Sequence, residues 1–138
     1  MAKLTADRHT REGQGDTREF LVAATEVIFA GSVVEMDATG HAIAATAGVS
    51  QNYVGVNNER AVDNSAGADG DKTVRVMRGE FGLNIDGGDP VTVADVGSTV
   101  YLVDDNTIGA TDAGATLSPL GVLFDVRDGQ AYVTIVGK

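Results

Sequence analysis

The sequence has no cysteine, no tryptophan and only 2 prolines, and aromatic residues make up 5% of its 138 positions. Without cysteine there is no disulfide framework and no thiolate metal site, and thiol usage says nothing about compartment. With 3 tyrosines and 4 phenylalanines, aromatic platforms for sugar rings are scarce. No run approaches the roughly 18 apolar residues of a membrane span. The start, Met1 to Thr10, lacks the apolar stretch of a secretion signal, so a soluble chain without an export signal is expected. Positive charge is also in deficit. Ten Lys and Arg face 20 Asp and Glu, for a net charge of −10. Such a chain repels phosphate backbones, so the expected partners are neutral or basic surfaces rather than nucleic acid or membrane.

What is abundant is glycine, 18 residues, with valine, alanine and threonine. β-branched side chains suit pleated surfaces, and glycine supplies the positive φ of tight turns. From Phe20 onward, short apolar runs are broken by Gly, Asp and Asn, and no helical stripe lasts three turns. Strands are predicted near 18–22, 32–36, 41–45, 53–57, 72–78, 80–85, 100–103, 107–110, 121–126 and 131–136. Asp37-Ala38-Thr39-Gly40, Asp104-Asp105-Asn106 and Asp128-Gly129 have the composition of hairpin turns. The expected fold is all-β: a small barrel or sandwich of short antiparallel strands, in a length that suits one domain.

Residues 1–20 balance Lys3, Arg8, Arg11 and Arg18 against Asp7, Glu12, Asp16 and Glu19, so the net charge belongs to the rest of the chain. Residues 1–19 therefore read as an extended, partner-docking N-terminal arm, and 20–138 as a single β domain. That domain contains a repeat. Gly31-Ser32 recurs 66 positions later as Gly97-Ser98, and the same offset matches Val34 to Val100, Ala44 to Ala110 and Val54-Gly55-Val56 to Leu120-Gly121-Val122. The repeating units run from about 30 to 56 and 96 to 122, and each reads as a hairpin plus a return strand. Units that each expose an apolar face can bury it against one another. Between them, Asn57 to Asp71 has no apolar periodicity, which marks a functional loop.

Reactive constellations are not found in the sequence. His9 falls in the arm and His41 at a hairpin, with no H-E-x-x-H motif. Ser50 and Ser98 follow glycines closely, yet neither completes G-x-S-x-G. Gly67 to Thr73 has Asp71 and Ala66 where a phosphate-binding loop requires glycines. The acidic pairs Asp69 with Asp71, Asp86 with Asp89, and Asp104 with Asp105 do not follow the alternating spacing of a calcium loop. No catalytic residue, cofactor or metal is expected.

Four segments carry a resemblance: Met1 to Arg8, Ala30-Gly31-Ser32-Val33-Val34, Val62 to Gly70 running into Thr73 to Gly79, and Ala94 to Tyr101. In these the chain resembles the capsid cement (decoration) proteins of tailed bacteriophages, a family formerly catalogued as a domain of unknown function, some of whose members carry a mistaken recombinase label. The likeness covers essentially the whole chain, and Val62 to Gly79 is its most specific part. It implies a β-rich, non-enzymatic virion protein on the exterior of an HK97-like capsid, made in the bacterial cytoplasm. The implied partners are the major capsid protein and further copies of the chain, with a trimer favoured and a dimer the alternative.

On that reading, Leu4, Asp7, Arg8, Arg11, Arg18 and Phe20 are the arm residues expected to touch capsid or a neighbouring copy. Asn64, Asp69, Arg75 and Arg78 are the expected loop and body contacts. Two rival readings follow from the same residues: a carbohydrate-binding or adhesin-like β module, and a β-barrel hydrolase of unfamiliar type. The first lacks aromatic platforms, the second a nucleophile with its base.

Overall fold

The structure, a computed structural model, describes residue 6 and residues 16–135. Twelve strands run in chain order: β1 (Thr17–Leu21), β2 (Val27–Ile28), β3 (Ser32–Met36), β4 (Ala42–Ala44), β5 (Tyr53–Asn57), β6 (Val62–Asp63), β7 (Thr73–Met77), β8 (Gly79–Ile85), β9 (Thr99–Asp104), β10 (Thr107–Gly109), β11 (Pro119–Arg127) and β12 (Gln130–Ile135). One 3-10 turn, Val93–Asp95, is the only helical element among the described residues. The chain is all-β, and each of the ten strands expected from alternation overlaps an observed one. β2 and β6 were not expected. They pair only with each other, two residues each, too short for any periodicity to show. β6 also places a strand inside the 57–71 segment, which the sequence marks as loop.

The strands form two units of the same topology. In the second, β10-β8-β12-β11-β9 close into a barrel, with β10 parallel to β8 where an antiparallel fold was expected throughout. In the first, the order is β1-β7-β5-β3-β4, and its two outer strands are linked by a single parallel bridge, Val22 to Ala42. The correspondence extends to individual bonds. Met36 N donates to Asn52 O at 3.0 Å, and 66 positions on Leu102 N donates to Ser118 O at 3.3 Å. Gly31 N to Asn57 O (2.6 Å) recurs as Gly97 N to Leu123 O (2.8 Å), and both glycines have φ of 92°. Ala23 N to Ala42 O (3.0 Å) recurs as Asp86 N to Ile108 O (2.9 Å), so the lone bridge of the first unit matches the β8–β10 closure of the second.

Alternation sends each strand's apolar residues to two sides. Val34, Ala42, Val74 and Val76 fill the first unit together with Val22 and Ile28. Leu83, Val100, Leu102, Ile108, Leu123, Val133 and Ile135 fill the barrel, and Val33, Ala45, Tyr53 and Val56 from the outside of the first unit belong to that same cluster. The two units are thus joined by core, because burying these side chains stabilises by roughly 1.5–3 kcal/mol each. The turns follow local chemistry. Asp128 and Gly129, with φ of 52° and 74°, form the two-residue loop between Arg127 and Gln130. Asp37 Oδ1 accepts from Thr39 N, Thr39 Oγ1 and His41 N, closing the β3–β4 hairpin.

Candidate functional site

Where the two units meet, the 46–52 loop of the first and the 111–118 loop of the second flank the outer face of β9 and β11. Between them lies an open groove of about 610 Å³. Its walls are mainly apolar: Val49, Tyr101, Leu117, Pro119 and Val122, with Asp112 at one side. Val49 and Val122 are 61% and 46% exposed, and Phe124, two residues further along β11, is 62% exposed. An apolar strip of this kind on a strongly acidic unit marks a contact surface.

Beneath the groove a polar cluster fastens the units together. Glu35, buried, accepts from Thr46 N (2.9 Å), Thr46 Oγ1 (2.9 Å) and Gln51 Nε2 (3.1 Å). Tyr53 donates its hydroxyl to Thr46 O at 2.7 Å. Ser118, from the second unit, donates to Gly48 O at 2.5 Å and accepts from Gln51 N at 3.0 Å. As a nucleophile Ser118 would need a base on its hydroxyl proton, and here that proton goes to a backbone carbonyl. The cluster satisfies buried backbone groups across the seam.

Burial first, and then the neighbouring Glu35 carboxylate, push the Tyr53 phenol up to about 12. A phenol that ionises later in the folded state than at its ordinary 10 contributes stability that is complete below pH 10 and lost as pH climbs toward 12. Tyr53→Phe should abolish that alkaline loss, at a cost of about 1 kcal/mol at neutral pH for the hydrogen bond. Urea midpoints followed from neutral to strongly alkaline pH measure both effects. Parallel profiles for the two proteins would contradict the assignment.

Leu4, Asp7, Arg8 and Arg11 lie outside the described residues. Arg18 and Phe20, expected on an arm, sit inside β1, where they pair with Val76 and Val74 of β7. Arg18 is exposed, while Phe20 packs on the core of the first unit. Residues 17–19 are therefore strand, because the backbone of 17–21 is taken up by β7. Arg75 and Arg78 are exposed at β7 and its end, and Arg75 lies 3.8 Å from Glu59. Arg18, Arg78 and Asp16 line one small cleft, which places two of the sequence-selected cations together at the β1–β7 edge of the first unit.

Asn64 needs correction as a partner contact, because it is buried, while Asp69 stays exposed. Asn64 is 1% exposed, and its Nδ2 donates to Val22 O (3.3 Å), Ala23 O (2.9 Å) and Ala68 O (3.0 Å). Asp69 accepts from Ala24 N at 2.8 Å, and Asp71 from Ala68 N at 2.9 Å. The segment is an internal clamp that ties 63–71 to the chain after β1. Sequence reasoning in turn missed Val49, Tyr101, Leu117 and Val122. All four fall in loops or strands as ordinary residues, and only their meeting around the outer face of β9 and β11 distinguishes them.

Charge is segregated. From 79 to 135 nine acidic side chains meet one basic residue, Arg127; from 16 to 78 nine acidic side chains meet Arg18, Arg60, Lys72, Arg75 and Arg78. Among the described residues no three metal-ligating side chains converge, and no helix is long and apolar enough to cross a membrane. Compared with known protein families and with curated proteins, the chain matches none.

Proposed function

We propose that this chain is a non-enzymatic capsid decoration protein that binds the outer surface of an HK97-like phage shell and stabilises it by bridging capsomers. The observation that carries the reading is the exposed apolar groove on an acidic β scaffold, with Glu35, Tyr53 and Ser118 beneath it engaged in hydrogen bonds that hold the fold. Acidic charge keeps such a body away from packaged nucleic acid and suits the exterior. Residues 1–15, with Lys3, Arg8 and Arg11 against Asp7 and Glu12, add a near-neutral segment able to lie along capsid protein. Ordering it costs roughly 1–2 kcal/mol per residue, which linked copies offset by raising the local concentration of each docked arm. Binding the assembled shell in preference to free capsomers then stabilises the shell by mass action.

Cosedimentation with genome-emptied phage heads tests the reading. The full chain is expected to pellet with heads and to raise their thermal breakdown temperature. Deletion of residues 1–15, which leaves β1 whole, should weaken binding at least tenfold. Equal binding by the deleted chain sinks the arm's role, and no binding by the full chain to its cognate heads sinks the capsid function. Retention on a glycan array would favour the carbohydrate-binding rival, for which Tyr53 and Tyr101 are the aromatic residues lining the groove.

A further inference from the structure

The duplication says what the groove is. Thr99, Tyr101, Pro119 and Val122, which line it, stand 66 positions after Val33, Glu35, Tyr53 and Val56. The earlier four are all buried in the seam between the units, with Val33, Tyr53 and Val56 in the core cluster shared with the barrel. The same outer face of the same fold is therefore covered in the first unit and open in the second. What covers it is the second unit itself: Val33 N donates to Asp105 O at 2.7 Å, Asn106 Nδ2 to Gly31 O at 2.9 Å, and Ser118 bonds to Gly48 and Gln51.

We infer that the open face on β9 and β11 is a docking surface for the first unit of a second copy of this chain, packed head to tail as the second unit packs on the first within one chain. The counterpart of the Asp104–Asn106 turn is Ala38–Gly40, which is exposed, and the counterpart of Ser118 is Asn52, which keeps a polar side chain able to bond a loop backbone. Charge selects the same arrangement. Groove against groove would set two units of net −8 on each other, nine acidic residues to one basic each. Head to tail sets that unit against one of net −4, which carries five of the six basic side chains between 16 and 135, so the repulsion is smaller. A contact of this kind is heterologous, so it closes into a ring or runs on as a filament according to the rotation it imposes.

The inference stands on the duplication alone and is tested on purified full-length protein with no capsid present, so its failure leaves the capsid reading to its own experiment. Sedimentation equilibrium should give a mass above the 14.2 kDa of one chain, rising with concentration up to roughly 100 μM. Val122→Gln, uncharged and at an exposed position, should raise the dissociation constant at least tenfold with an unchanged far-UV spectrum. A native chain that stays monomeric, or a variant that associates as the native chain does, overturns the proposal. A disulfide trap gives a second readout, since the chain has no cysteine of its own. Thr39→Cys combined with Thr99→Cys places the pair where Asp105 meets Val33 in the internal seam, and oxidation should yield covalent trimers or longer chains. Products no longer than the dimers of the single variants overturn it.

Discussion

Gly121→Ala should lower stability by about 3 kcal/mol or more, and Gly55→Ala by more still. A Cβ added at Gly121 would run into the carbonyl oxygen of Thr134 and within 3.2 Å of Val133 Cγ1; one at Gly55 would run into the carbonyl oxygen of Met77 and within 2.7 Å of Val76 Cγ1. In both cases the obstacle is the backbone of the adjoining strand, which cannot swing aside as a side chain can. Gly55 has in addition a φ of 149°, which side-chain-bearing residues rarely adopt. The two glycines are equivalent positions in the two units, each opposite the same carbonyl of the neighbouring strand. Thermal melting should fall by roughly 10 °C for Gly121→Ala. Gly87→Ala, where a Cβ meets nothing within 4 Å and φ is not positive, is the control and should shift by less than about 0.5 kcal/mol. A Gly121→Ala protein as stable as the control would mean that β11 and β12 do not approach as described.

Asn64→Asp is the second substitution with a large expected effect, about 4 kcal/mol at neutral pH. The amide Nδ2 now satisfies three carbonyls, those of Val22, Ala23 and Ala68, from a position 1% exposed. A carboxylate there turns a donor into a charged acceptor facing three carbonyl acceptors. Burial of that kind raises a carboxyl group's pKa above its unfolded value. Its penalty is then largest at neutral pH and shrinks as pH falls below the folded pKa, where the group is neutral. Urea unfolding of the native and variant chains at pH 7 and in acid measures the difference. A variant equally stable at both pH values relative to the native chain would show that position 64 is open to water.

The same residue shows where reading from sequence stops. Asn64, Asp69 and the glycines around them lie in a segment without apolar periodicity, and polar residues in such a segment read as a contact loop. Gly67 sits there because a Cβ would collide with Asn64 Oδ1, and Asp69 because Ala24 N needs an acceptor. A clamp that satisfies distant backbone and a surface that satisfies a partner demand the same residue types. Only the fold shows that the donors and acceptors come from the chain after β1, some 40 positions earlier.

Alternation, turn residues and the 66-residue offset between Gly31 and Gly97 were enough to place ten strands, three hairpin turns and the doubled hairpin, because each is set by neighbours within a few positions. Charge asymmetry between the start and the body was legible for the same reason, as a sum over residues. Tertiary structure decided which of two equivalent faces is open. Val33 and Thr99, or Val56 and Val122, occupy matching places on matching strands, and one member of each pair is buried only because the second unit follows the first in the chain. It likewise decided that Thr17 to Glu19 belong to β1, since their pairing with β7, more than 50 residues away, is a long-range bond that no local pattern encodes.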